Sequence, residues 1–248
     1  MIRLVNLHKR FFAGTDREIH ALKGVNLELQ KGSFTVLVGS NGSGKSTLLN
    51  LIAGSIRADE GKIEIYGTDV TRLTAHQRSP LISRVFQDPL MGTVSELTVL
   101  ENFRLAALRG KTKGLSIGAN REFESIVKEK IREIGLGLEN KIHQPMGTLS
   151  GGQRQALTLT MSVMDQSSLL LMDEPSSALD PATADTIMRL AQKITNQHQL
   201  TTLLVTHNLK DAIQYGTRIL LMQSGAIAKD LNEDQKKALQ PQELINWF

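Results

Sequence analysis

The chain has no cysteine among its 248 residues. That removes disulfide scaffolds, thiolate metal sites and cysteine nucleophiles together, and it fits a reducing compartment. Aromatic residues are scarce, with seven Phe, two Tyr and one Trp. They do not recur among basic runs, as a base-stacking platform for nucleic acid requires. No apolar run approaches the ~18 residues that a membrane helix needs. The opening MIRLVNLHKR lacks the apolar core of a signal peptide. These absences lead to the expectation of a soluble, cytoplasmic protein.

A dominant charge is lacking too. Lys and Arg number 29 against 25 Asp and Glu, a net +4. The excess is +2 in each of residues 1–30, 31–90 and 91–148, and −2 in residues 149–248. So thin a spread makes no electrostatic stripe, and no nucleic-acid partner is expected. Hydrophobic residues at 40% and charged residues at 22% place the chain among globular proteins rather than disordered ones. Its length suits one or two domains and buries roughly 70–75% of the unfolded surface.

What is present is a β/α alternation. Val25, Leu27 and Leu29 alternate with polar residues and stop at the Lys31-Gly32 turn. Phe34-Thr35-Val36-Leu37-Val38 reads as a buried strand cut off by Gly39. Leu48, Leu49, Leu51 and Ile52 then share one helix face, with Gly54 past its end. Ile63, Ile65 and Tyr66 suggest a strand, and Val85-Phe86 another. Residues 91–148 change texture: Phe123, Ile126, Val127, Ile131 and Ile134 fall at helical spacing between charges. From Leu169 the alternation resumes. Leu169-Leu170-Leu171-Met172 reads as a strand covered on both faces. Asp180-Pro181 is an N-cap with a first-turn proline, and Ala184, Ile187, Met188, Ala191 and Ile194 continue that helix. Leu203-Leu204-Val205 and residues 218–222 are later strands, the last turned by Ser224-Gly225. The expectation is an α/β core, residues 1–90 and 149–248, with a mainly parallel sheet and a helical insert over 91–148.

Gly39-Ser40-Asn41-Gly42-Ser43-Gly44-Lys45-Ser46 fits G-x-x-x-x-G-K-[ST] between that buried strand and that helix. The glycines let backbone N–H groups turn inward to cradle an anion, and the helix start adds partial positive charge. Lys45 supplies a full charge for the β- and γ-phosphates, and the Ser46 hydroxyl suits Mg²⁺. Asp173 and Glu174 close the Leu169 run, at the strand end where ligands collect in a parallel sheet. Asp173 can hold Mg²⁺ or its water, and Glu174 can polarise an attacking water. His207 and Gln87 follow strands in the same way. His207 could donate to the γ-phosphate, and Gln87 offers an amide oxygen to metal or water. Taken alone, each also fits a structural role.

Leu149-Ser150-Gly151-Gly152-Gln153 is the LSGGQ signature of ABC ATPases. With it the whole chain resembles an ABC-transporter ATP-binding subunit. The resemblance implies a single domain over 1–248, a P-loop NTPase core with an N-terminal antiparallel β subdomain. It makes residues 39–46, with Thr47, the Walker A loop, and Gln87 the Q-loop glutamine. Residues 169–173 become Walker B, Glu174 the catalytic glutamate, Ser177-Ala178-Leu179-Asp180 the D-loop and His207 the switch histidine. Phe11 resembles the adenine-stacking aromatic, with Phe12 as the alternative; either also fits a core phenylalanine.

The resemblance implies ATP and Mg²⁺, the metal at Ser46, Gln87 and Asp173. It also implies a head-to-tail homodimer in which residues 150–153 of one subunit meet the γ-phosphate held by the other. Transport then needs a membrane permease, whose coupling helix docks beside the Q-loop at residues 88–97. Pro89, Leu90 and Met91 are its apolar candidates, equally able to pack under the insert. Arg84-Val85-Phe86-Gln87-Asp88-Pro89, Gly92-Thr93, Glu101-Asn102 and Arg109-Gly110 resemble a bacterial group paired with a permease and a periplasmic binding protein, some of whose members take up aromatic amino acids. This implies import, on the cytoplasmic face of the inner membrane. Arg104, Arg109, Lys111 and Lys113 form the local basic cluster, read either as solvated surface or as a contact for anionic headgroups. The competing class is a soluble ABC ATPase such as an iron–sulfur assembly accessory.

Overall fold

The computed structural model describes residues 1–109, 111, 120–165, 167–245 and 247. Among the described residues, ten strands form two sheets. The smaller is antiparallel, in the order β2 (Ile19–Leu29), β1 (Ile2–Phe11), β4 (Glu60–Ile65), β5 (Thr68–Asp69). The larger runs β10 (Ala226–Leu231), β9 (Arg218–Gln223), β3 (Phe34–Val38), β8 (Thr201–Val205), β7 (Leu169–Asp173), β6 (Ile82–Val85). Strands β9 to β6 are parallel and β10 alone is antiparallel. This is the mixed α/β fold with a mainly parallel sheet and an N-terminal antiparallel sheet.

The helices follow the apolar spacing. They are α1 (Lys45–Ala53), α2 (Ala75–Arg78), α3 (Val99–Ala107), α4 (Arg121–Arg132), α5 (Gly151–Met161), α6 (Pro181–His198), α7 (Leu209–Gln214), α8 (Glu233–Ala238) and α9 (Pro241–Ile245). In β7, Leu169 and Leu171 join one core with α1 and the small sheet, while Leu170 and Met172 join another with α5 and α6. A strand covered on both faces must be apolar at every position, which explains the unbroken run. A third core joins Phe103 of α3, Phe123, Val127 and Ile131 of α4, and Leu157 and Met161 of α5. Helix α5 therefore lies between the sheet and the helices of the 91–148 stretch.

Several boundaries differ from the periodicity reading. Tyr66 sits just past β4 with φ 50°, in the turn to β5, where its hydroxyl donates to the Ser168 carbonyl at 2.9 Å. Phe86 lies one residue beyond β6. Ile126 is on α4 but 44% exposed, on the flank of the face made by Phe123, Val127 and Ile131. Ile134, Val163 and Met164 pack against cores from just past their helices, so the apolar spacing outlasts the helical backbone.

Two members of the basic cluster are engaged with the core. Arg109 pairs with Asp165 at 2.9 Å, and the Asp165 side chain is almost fully buried. The Arg104 guanidinium stacks over the Phe123 ring at 5.0 Å. Two of the four charges in the headgroup reading thus hold the helices to the core, while Lys111 is exposed. Lys113, Gly110, Gly114 and Gly118 lie outside the described residues.

The far end of α1 is closed by Arg78. Its guanidinium is 1% exposed and donates to the carbonyls of Leu51 at 2.6 Å and Ile52 at 2.8 Å. It also reaches Leu73 at 3.0 Å and Thr71 at 3.2 Å. Four carbonyls thus depend on one side chain. We expect Arg78→Met to lower unfolding free energy by about 3 kcal/mol, because buried acceptors left unpaired cost roughly 1–3 kcal/mol each before relaxation. Urea unfolding followed by circular dichroism measures this, and a loss under about 1 kcal/mol would refute the capping role.

Candidate active site

The order β3-β8-β7-β6 sets the site. Residue 39 leaves the carboxyl end of β3, Thr206 and His207 leave β8, Asp173 and Glu174 close β7, and Gln87 follows β6. Parallel strands end at the same edge, so four segments distant in sequence meet there.

Helix α1 begins at that edge with a bare amino end. Its cap is Gly44, left-handed with φ 107°, and no side chain caps it; no acidic residue lies in its first turn. Every helix from α2 to α8 instead opens with Thr, Asn, Ser or Asp accepting from its backbone. The first-turn N–H groups of α1 are thus left for an external anion. Glycine is required around them by space as well as conformation. A Cβ on Gly44 would lie 2.7 Å from the Ala21 carbonyl, and one on Gly39 would lie 2.2 Å from the Met222 carbonyl. Ser43 Oγ is buried and has no hydrogen-bond partner. The Lys45 ammonium, 6% exposed, folds back to donate to the carbonyls of Gly39 at 2.7 Å and Ser40 at 2.9 Å. Burial pulls its pKa below the ordinary lysine value, and Glu174 and Asp173 oppose that pull. Ser40, Asn41, Gly42 and Ser46 are exposed along the loop and Thr47 is half-buried.

Asp173 lies beside this loop. Burial pushes its carboxyl above the usual range, against the Arg84 guanidinium at 3.3 Å and a hydrogen bond from Ser46. A cavity of about 660 Å³ has Asp173, Gln87, Arg84 and Asn50 in its wall. Glu174 holds φ 47°, a left-handed conformation that costs a non-glycine residue roughly 1–2 kcal/mol. Its Oε2 lies 2.9 Å from Nδ1 of His207, whose side chain is 57% exposed. The structure thus brings together Lys45, Ser46, Asp173, Glu174 and His207, with Gln87 across the cavity from Asp173.

Arg84 and Asn50 were not singled out as site residues from the sequence. Arg84 Nη1 donates to Asn50 Oδ1 at 2.8 Å, which ties β6 to α1 beside Asp173. A legible signal existed for both. Asn50 stands four residues after Ser46, on the same helix face, and Arg84 interrupts an otherwise buried strand.

The other predicted positions lie elsewhere. Ser150 caps α5, accepting from the Gln153 N–H while the Gln153 side chain accepts from the Ser150 N–H. Among the described residues, no hydrogen bond or ion pair joins residues 150–153 to residues 39–47. Phe11 ends β1 with the Lys9 ammonium 5.6 Å from its ring centre. Phe12, with φ 56°, is 66% exposed. Leu90 and Met91 are 50% and 56% exposed, so they project from their loop rather than packing under the insert.

With this geometry, comparison with known proteins is decisive. The ABC transporter family pattern matches residues 22–177. The chain belongs to that family. This cassette is 37% identical over its full 248 residues to a tyrosine transport ATP-binding protein of Clostridioides difficile, covering 98% of that protein. It is 34% identical to the thiamine import ATP-binding protein ThiQ of Photorhabdus laumondii, over 93% of this chain and 90% of that one. It superimposes with a TM-score of 0.79 on a dimeric ATP-binding cassette in a post-hydrolysis state bound to ADP and Pi. That pair is 30% identical, over 94% of this chain and 99% of the other. The cassette is an ATP-binding ATPase.

The two signature glycines differ in what the fold demands of them. A Cβ on Gly152 would lie 2.2 Å from Thr183 Cγ2, against α6, whereas one on Gly151 would meet Leu179 at an ordinary 3.5 Å. We expect Gly152→Ala to destabilise the cassette by about 1–3 kcal/mol through overpacking. Gly151→Ala should stay within about 0.5 kcal/mol of the parent. Equal losses for the two variants in urea unfolding would show that Gly151, too, is held by packing.

Proposed function

We propose that this cassette is the ATP-hydrolysing subunit of an importer, acting as a homodimer beneath a separate membrane permease. One observation carries the reading. The bare amino end of α1 is open to an anion, and among the described residues no hydrogen bond or ion pair joins it to the signature at the start of α5. A head-to-tail pair would bring residues 150–153 of each copy to the phosphate loop of the other, completing two sites at once. The dimeric ATP-binding cassette that this chain resembles supports that arrangement.

The residues divide the work as follows. The N–H groups of residues 41–47 and the Lys45 ammonium hold phosphate, and Ser43 Oγ faces the same loop without a protein partner. Ser46, Asp173 and Gln87 fit Mg²⁺. All three offer hard oxygens, the Ser46 hydroxyl is near enough to favour the Asp173 carboxylate, and Gln87 borders the cavity that Asp173 lines. Bound Mg²⁺ would neutralise phosphate charge there. Glu174 orients and deprotonates the attacking water, and His207 at 2.9 Å steers that carboxylate and reaches toward the terminal phosphate. Phe11 or Phe12 stacks on adenine at the end of β1.

Among the described residues, no helix is long and apolar enough to cross a membrane. In line with relatives named as ATP-binding proteins of transport, we place the permease on another chain and the cassette at the cytoplasmic face. Leu90 and Met91 would offer it an apolar contact beside Gln87. Import rests on the thiamine import relative and on the tyrosine transport relative that matches over the full length. The latter makes an amino acid the first small solute to test, and a periplasmic binding protein is the partner proposed to deliver it.

The deciding variant is Glu174→Gln. It should bind ATP, lose hydrolysis by at least about 10²-fold, and elute as an ATP-stabilised dimer in size-exclusion chromatography. Lys45→Ala should stay monomeric under the same conditions. Full hydrolysis by Glu174→Gln, or a monomer with ATP bound, would overturn the reading.

A further inference from the structure

One polar side chain of α5 has no part in the site described above. Gln155, two residues past the signature, is 0% exposed. Its Nε2 donates to the carbonyl of Phe86 at 3.0 Å and to the carbonyl of Pro175 at 3.1 Å. Phe86 immediately precedes Gln87, and Pro175 immediately follows Glu174. Both hydrogens of one planar amide are therefore spent on two loops that leave neighbouring strands, β6 and β7, at the same sheet edge.

The rest of that side chain points the same way. Gln155 Oε1 is buried and has no hydrogen-bond partner. An unpaired buried acceptor is costly, and packing alone would be served by Met or Leu at that position. The two donated bonds are what the glutamine supplies. The amide is rigid, so displacement of the Phe86 carbonyl is felt at the Pro175 carbonyl. Glu174 needs such restraint. Its left-handed backbone persists only where surrounding bonds over-determine it, and its own N–H reaches just the Val205 carbonyl at 2.9 Å.

We propose that Gln155 is a positioning residue, clamping the Gln87 loop to the Glu174 turn so that the water-activating carboxylate is aligned only when the loop beneath Leu90 and Met91 is in register. The clamp deepens the role proposed for Glu174 and rests on it. It also gives the surface around Leu90 and Met91 a short physical route to the chemistry: loop, Phe86 carbonyl, Gln155 amide, Pro175 carbonyl, Glu174.

The test is steady-state ATPase kinetics on the full-length chain. Gln155→Met keeps volume and removes both donors. It should lower kcat by about 10- to 100-fold, since small misplacements of a reacting group cost that much. KM for ATP should stay within about twofold, because the phosphate loop is untouched. Combined with Gln87→Ala, the loss should fall well short of the product of the single losses, because both variants release the same loop. Leu157→Ala, equally buried on α5, should lower the melting temperature at least as much with little change in kcat.

Should Gln155→Met fail to fold, Gln155→Asn keeps the amide on a stem too short for both carbonyls and is expected to show the same kcat loss at unchanged KM. Unchanged kcat in the folded variant, strict multiplicativity with Gln87→Ala, or a kcat loss matched by Leu157→Ala would each overturn the clamp. Full hydrolysis by Glu174→Gln would instead remove the role given to Glu174. The cycle between Gln155 and Gln87 would then still decide whether the loops are coupled.

Discussion

Helix α1 lies in the core shared by the two sheets, its amino end bare and its carboxyl end gripped by Arg78. The bare end leaves unpaired N–H groups, a partial positive charge and no side chain to neutralise either. In a folded chain that arrangement is unfavourable unless something anionic occupies it. Lys45 adds to the imbalance. Its buried ammonium is satisfied for now by the carbonyls of its own loop, a partner set it can exchange for phosphate oxygens. The acids Asp173 and Glu174, the Arg84 tether and the cavity toward Gln87 are all disposed around this one helix end.

The parallel sheet explains how so many groups reach it. Each of β3, β8, β7 and β6 is a short, largely buried strand whose carboxyl end falls at the same edge. Apolar interiors fix each strand in depth, because a shift along it would expose Leu or Val on both faces. The polar residues that follow are thereby fixed as well. Glu174 shows the cost of this placement: its backbone adopts a conformation that glutamate disfavours, held by bonds on either side.

Helix α5 is the other fixed element. One face packs against α6 and the sheet, another against α3 and α4, and its start carries the signature. It is buried almost all round, so it moves with its neighbours or not at all. That makes the Gln155 amide a stiff link between two loops rather than a loose tie. The Arg109–Asp165 pair joins the 91–148 stretch to the same core near the other end of α5. A helix so embedded suits the proposed link to the surface around Leu90 and Met91.

The sequence by itself determined the strands that carry the site, the phosphate loop, the signature and the family. Each is written in local order: an apolar run, a glycine turn, a five-residue string. Local order also supplied the cap Asp180, since capping acts over three residues. It could not show where Arg109 and Arg104 point, because their partners Asp165 and Phe123 lie elsewhere in the chain. It ended β4 in the wrong place, because Tyr66 still packs against the core after the hydrogen-bond ladder has stopped. Only the tertiary structure joined Asn50 to Arg84 and Gln155 to both loops. Those links are hydrogen bonds between strands and helices far apart in sequence, and no periodicity within one segment encodes the partner another segment will bring.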